Sequence, residues 1–91
     1  MKRHTKIYLD YFSYGEQDFI PCENCRRKAV DIHHVDNKGM GGSKDKDYIE
    51  NLVALCRPCH NNAHKGLITK HDLFYIHKCF INKQNHERNK I

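Results

Sequence analysis

There is no tryptophan in this chain, only two prolines, and five glycines, three of which fall between Gly39 and Gly42. Hydrophobic residues make up 38% of the 91, so the aliphatic core is thin. A domain of this size buries a modest share of its surface and commonly needs a disulfide or a metal as a staple. No apolar run approaches the length of a membrane span, and Met1 to Lys6 is basic and polar rather than a signal segment. The expectation is a cytoplasmic protein with no membrane partner, in which paired cysteines favour metal over disulfides. Acidic residues are outnumbered, 11 against 16 basic ones, for a net charge of +5 with the eight histidines neutral. That balance favours polyanionic partners, because each neutralised phosphate releases counterions.

What is present reads as one domain over 1–91, with no repeats. Lys6 to Phe12 (KIYLDYF) is rich in aromatic and branched residues, and its periodicity fits a strand or a short helix. Ala29 to Val35 alternates as a strand, with Val30 and Ile32 on one face. Asn37 to Lys46 reads as a charged, glycine-bearing loop. Leu52 to Leu55 fits a second strand. Pro58 suits the first turn of a helix running through His64, and Gly66 stops it. Thr69 with Asp72 forms a capping box. It opens an amphipathic helix to about Lys83, with Leu73, Ile76, Phe80 and Lys83 on one stripe and Phe74, His77 and Ile81 beside it. Gln84 to Ile91 reads as frayed.

Two Cys-x-x-Cys pairs, Cys22 with Cys25 and Cys56 with Cys59, are separated by 30 residues. A Cys-x-x-Cys knuckle brings two thiolates to one ion from a single turn, and two knuckles complete a tetrahedron. A hairpin with a long loop fits the gap. The pattern predicts a structural Zn2+ held by these four residues. A tetrad of Cys22, Cys25, His60 and His64 is the alternative. Cys79, in the last helix, reads as a small core residue.

Four histidines stand near these pairs. His33 and His34 are adjacent on a strand and point to opposite faces. His60 and His64 are four apart on a helix and share a face. A strand histidine with the helical pair makes a three-nitrogen site with open positions, as catalytic metals keep. The other strand histidine is then free to act as a general base. His4, His71, His77 and His86 fall outside this pattern and are expected on the surface or on a helix face.

The stretch Asp31-Ile-His-His-Val, followed by Glu50-Asn-Leu-Val-Ala-Leu-Cys-Arg-Pro-Cys-His, resembles the HNH endonuclease family over about 21–65. His34, Asn51 and His60 meet its three letters. The resemblance implies an α+β fold, a small zinc-stapled ββα-metal domain, here with a C-terminal amphipathic helix over about 69–83. It implies His34 as general base and Asn51 as the residue orienting that base by accepting from its ring N–H. His33 and His60 fall where the family places ligands of a catalytic divalent ion, and His64 where some members have another. Gly39 to Ser43 resembles the family's hairpin loop.

The implied activity is metal-dependent endonuclease cleavage of DNA, leaving a 5′ phosphate and a 3′ hydroxyl. Small stand-alone members occur in phages, mobile elements and restriction systems. Mg2+, Mn2+, Ni2+ or Zn2+ suits the catalytic position. No base-reading helix is evident, so specificity is expected from a protein partner or from DNA shape. Arg57 is a candidate phosphate contact, ahead of Lys44 and Lys46. RNA stays open as substrate. The competing reading is a non-catalytic zinc-ribbon module that binds nucleic acid or protein. In the nuclease reading the cysteines pin a hairpin so that His34 and His60 face one phosphate.

Overall fold

The computed structural model describes residues 2–36 and 46–88. Helix α1 covers Arg3–Phe12. The ambiguous KIYLDYF segment is thus helical, supported by an i,i+4 ion pair between Lys6 and Asp10 at 3.0 Å. Tyr8, Leu9 and Phe12 form its buried face. Ser13 ends it in the left-handed region, at φ 59°.

Strands β1 (Asp31–His34) and β2 (Leu52–Leu55) form a two-stranded antiparallel sheet. His33 pairs with Val53, and His34 with Leu52. A short 3-10 turn, Ile49–Asn51, leads into β2. Helix α2 (Arg57–His64) follows, with Pro58 in its first turn, and Gly66 at φ 79° closes it. Helix α3 runs Lys70–Arg88, five residues past the predicted end. The capping box forms as expected: Thr69 N–H donates to Asp72 Oδ2, and Asp72 N–H donates to Thr69 Oγ1, both at 3.1 Å. The Gly39 to Ser43 loop lies outside the described residues.

Every residue of β2 is buried, and the pleat sends alternate side chains into two cores. Leu52 and Ala54 join Tyr8, Phe12, Ile32 and Phe80. Val53 and Leu55 join Val35, Leu73 and the cysteines Cys22, Cys56 and Cys59. The four-residue strand is therefore the partition between an α1-side core and a cysteine-side core. Val30 departs from the expected strand pattern: it lies one residue before β1 and is 52% exposed. Cys79 is exposed on α3, not a core residue.

The larger correction concerns His77. It is 2% exposed, at the centre of a polar network inside the fold. Its Nδ1 lies 2.7 Å from Glu23 Oε1, and its Nε2 lies 2.6 Å from the Ile49 carbonyl. With Glu23 as a carboxylate both partners are acceptors, and both ring nitrogens then donate, which makes His77 and Glu23 a buried ion pair. The other carboxylate oxygen accepts from Tyr8 Oη at 2.6 Å and from Ala54 N–H at 3.2 Å. Burial first, then the Glu23 charge, pushes the Tyr8 phenol far up, so it stays a donor. One carboxylate thereby joins α1, the first cysteine knuckle, β2 and α3.

Candidate functional site

The first knuckle turns tightly. Arg26 N–H donates to the Cys22 carbonyl at 2.9 Å, with Arg26 itself left-handed at φ 72°. The second opens α2, with His60 N–H donating to the Cys56 carbonyl at 2.9 Å. The sheet brings the two together: the four sulfur atoms lie within 4.8 Å of one another. All four cysteines are free thiols, with Cys25 and Cys56 Sγ 3.4 Å apart. Asn24 Nδ2 donates to Cys59 Sγ at 3.4 Å, the kind of contact that supports a ligating thiolate. Burial, opposed by that Asn24 bond and reinforced by neighbouring thiols, pushes the Cys59 thiol up to about 12. A divalent cation reverses this preference by supplying the positive charge that the apolar surroundings lack. The donor set and its convergence fit a structural metal such as zinc.

On the β1 face toward α2, His33, His60 and His64 converge, each offering a ring nitrogen within 4.8 Å of the others. His60 and His64 Nε2 are 3.0 Å apart. The histidines thus gather among themselves, apart from the cysteines, which removes the mixed tetrad. Burial first, then the neighbouring imidazoles, holds His33 down at about 4. His60 is also lowered by burial, against an opposing Asp31 charge. Neutral imidazoles with lone pairs available are what metal ligation requires. Asp31 Oδ2 lies 3.4 Å from His60 Nε2. That carboxylate was missed in the sequence reading, although its i,i+2 spacing to His33 places both on one strand face. A 130 Å³ cleft borders the cluster, lined in part by His33, His64 and Lys70.

His34 is not in that cluster. The pleat turns it to the opposite face, where its ring meets His4 of α1 with centroids 4.5 Å apart. Its Nε2 lies 2.7 Å from Asp47 Oδ1. His4 and Asp47 were both missed: neither has a periodic relation to His34, and only the folding of α1 and of the chain after the loop brings them near.

The hydrogen bonds of the Asn51 side chain do not go to His34 either. Its side chain is consumed elsewhere: Oδ1 accepts from Asp36 N–H at 2.8 Å, and Nδ2 donates to the Asp36 and Lys46 carbonyls at 3.1 and 3.0 Å. Asp36 and Lys46 flank the loop, and Lys46 Nζ also reaches Asp36 Oδ2 at 2.7 Å. A fully buried amide therefore ties Asp36 to Lys46. Lys46 is drawn into that clasp and Lys44 lies outside the described residues, whereas Arg57 stands exposed in the first turn of α2.

Three helices and one antiparallel hairpin among the described residues, with a four-cysteine cluster and a three-imidazole cluster, define a small metal-stapled ββα domain. Residues 22–66 match the HNH endonuclease family's model. No curated protein and no solved structure gave a match. An HNH domain brings with it nuclease-type activity and engagement of nucleic acid as the general expectation.

Proposed function

We propose that the protein is a metal-dependent endonuclease that hydrolyses DNA phosphodiester bonds with little intrinsic sequence selectivity. The observation that carries this reading is the convergence of His33, His60 and His64 inside the HNH segment, separate from the cysteines. These three residues would hold a divalent ion, which supplies a positive charge for the phosphorane-like transition state and the departing oxygen. His34 is the general base that takes a proton from the attacking water. It ends β1 immediately after His33 and is among the groups that depress His33. A phosphate seated across the end of that strand meets both faces. Arg57 contributes a backbone-phosphate contact from the start of α2. Asn51 ties Asp36, just past the strand end, to Lys46.

The test is plasmid nicking with Mg2+, Mn2+, Ni2+ or Zn2+, run beside a single-stranded RNA substrate. Wild type should nick, and His60→Ala and His34→Ala should each lose at least about 100-fold, the scale of a lost general base or a lost ion. Equal trace activity in wild type and both variants identifies a non-catalytic binding module. Cleavage of RNA in preference to DNA would reassign the substrate but keep the chemistry.

A further inference from the structure

If Asn51 is committed to the loop, the imidazole of His34 needs another group to fix it. We propose that Asp47 is the positioning residue for His34: its carboxylate accepts a hydrogen bond from Nε2–H, sets the tautomer and holds the ring, leaving Nδ1 as the basic nitrogen. This rests on the reading of His34 as the base.

Three observations carry it. The contact is short, 2.7 Å between Nε2 and Oδ1. The Asp47 side chain is 1% exposed and that of His34 is 14% exposed, so the pair is shielded from competing water on the carboxylate side. And the backbone just before Asp47 is pinned, because Asn51 Nδ2 donates to the Lys46 carbonyl. Asn51 therefore acts on the histidine at one remove: it holds residue 46, residue 46 places Asp47, and Asp47 places His34. A neutral imidazole has one donor and one acceptor nitrogen, and a carboxylate on one nitrogen decides which is which. The rate penalty for the wrong tautomer is large wherever a histidine serves as base. The His4 ring packs against His34 on the same side and restricts its rotation.

The donors of His4, His34 and Asp47 also lie within 4.8 Å of one another, so an ion is the rival occupant. Metal content in the Asp47 variants separates the two roles.

The experiment uses the full-length, zinc-loaded chain labelled with 15N-histidine. In wild type, the His34 ring, assigned by its loss in His34→Gln, should be the Nε2–H tautomer. Asp47→Asn and Asp47→Ala should lower kcat for nicking by about 100-fold or more with KM within about twofold, on the pattern of a carboxylate lost from behind a catalytic histidine. They should also disturb the His34 tautomer signal while metal content stays at the wild-type value. An Nδ1–H tautomer in wild type overturns the proposal without need of any variant. So does an Asp47→Asn protein with unchanged kcat, and so does loss of one metal equivalent in Asp47→Ala, which would make Asp47 a ligand. If His34→Gln nicks like wild type, the base reading itself has failed. If His34→Gln is inactive and Asp47→Asn is active, only the positioning role has failed.

Discussion

Replacing His77 with leucine tests the buried network directly. The Glu23 carboxylate is fully buried, and His77 is its cationic partner at 2.7 Å. In His77→Leu the carboxylate keeps Tyr8 and the Ala54 N–H on Oε2 but loses the partner on Oε1, and the Ile49 carbonyl loses its donor. Breaking a buried pair from one side costs about 3–5 kcal/mol, because the remaining charge stays desolvated. An unpaired buried carbonyl adds roughly 1 kcal/mol. A domain of this length is stable by only about 5–14 kcal/mol, so the variant should be close to unfolding. In urea melts at fixed zinc, the loss should be about 4–6 kcal/mol, and in thermal melts on the order of 30 °C in Tm. The double variant Glu23→Gln with His77→Leu should be clearly more stable than the sum of the single losses, since the stranded charge is gone. A loss under 1 kcal/mol in His77→Leu, or strict additivity in the double variant, would refute the assignment of a buried ion pair.

Cys56→Ser should release the structural metal and unfold the domain, read as lost zinc and lost cooperative melting, because ligand convergence depends on the folded hairpin. His60→Ala should instead retain that metal and a cooperative melt while losing the ion held by the imidazoles, and a variant that is unfolded and zinc-free would place His60 in the structural site. Asn51→Ala strands three backbone groups of Asp36 and Lys46 and should cost about 2–4 kcal/mol. It should also lower kcat by releasing Lys46 and the adjoining Asp47; unchanged stability would mean that the clasp is not formed. Because burial holds His33 at about 4, below the usual 6.5 of a free imidazole, the unfolded chain binds more protons between those values. Stability of the protein stripped of the imidazole-bound ion should therefore be fully present above about 6.5 and fall as the pH drops toward about 4. The NMR signal of the His33 ring should still be that of the neutral form at pH 5.5, and a midpoint near 6.5 would contradict the burial assigned to it.

Local chemistry along the chain was sufficient for much of this protein. Cys-x-x-Cys spacing, the Thr69 and Asp72 cap, Gly66 after α2 and the His60 and His64 pair each depend on residues within one or two turns. The physics that forms them is equally local, and so they were legible in order. The pleat of β1 is local too, and it separates His33 from His34 before any tertiary contact exists. What the sequence could not determine was which partner each face would meet. His34 faces α1 and Asp47 because α1 packs on that side of the sheet, and Asp47 follows Lys46, whose carbonyl accepts from Asn51, 5 residues on. His77 lies in a helical pattern that a surface residue would share. Its role depends on Glu23, 54 residues earlier, being carried inside by the first cysteine knuckle. The spacing of the four cysteines is enough to point to a metal staple, but the tertiary structure adds a second consequence of the same knuckle: it buries the carboxylate that ties the last helix to the rest of the fold.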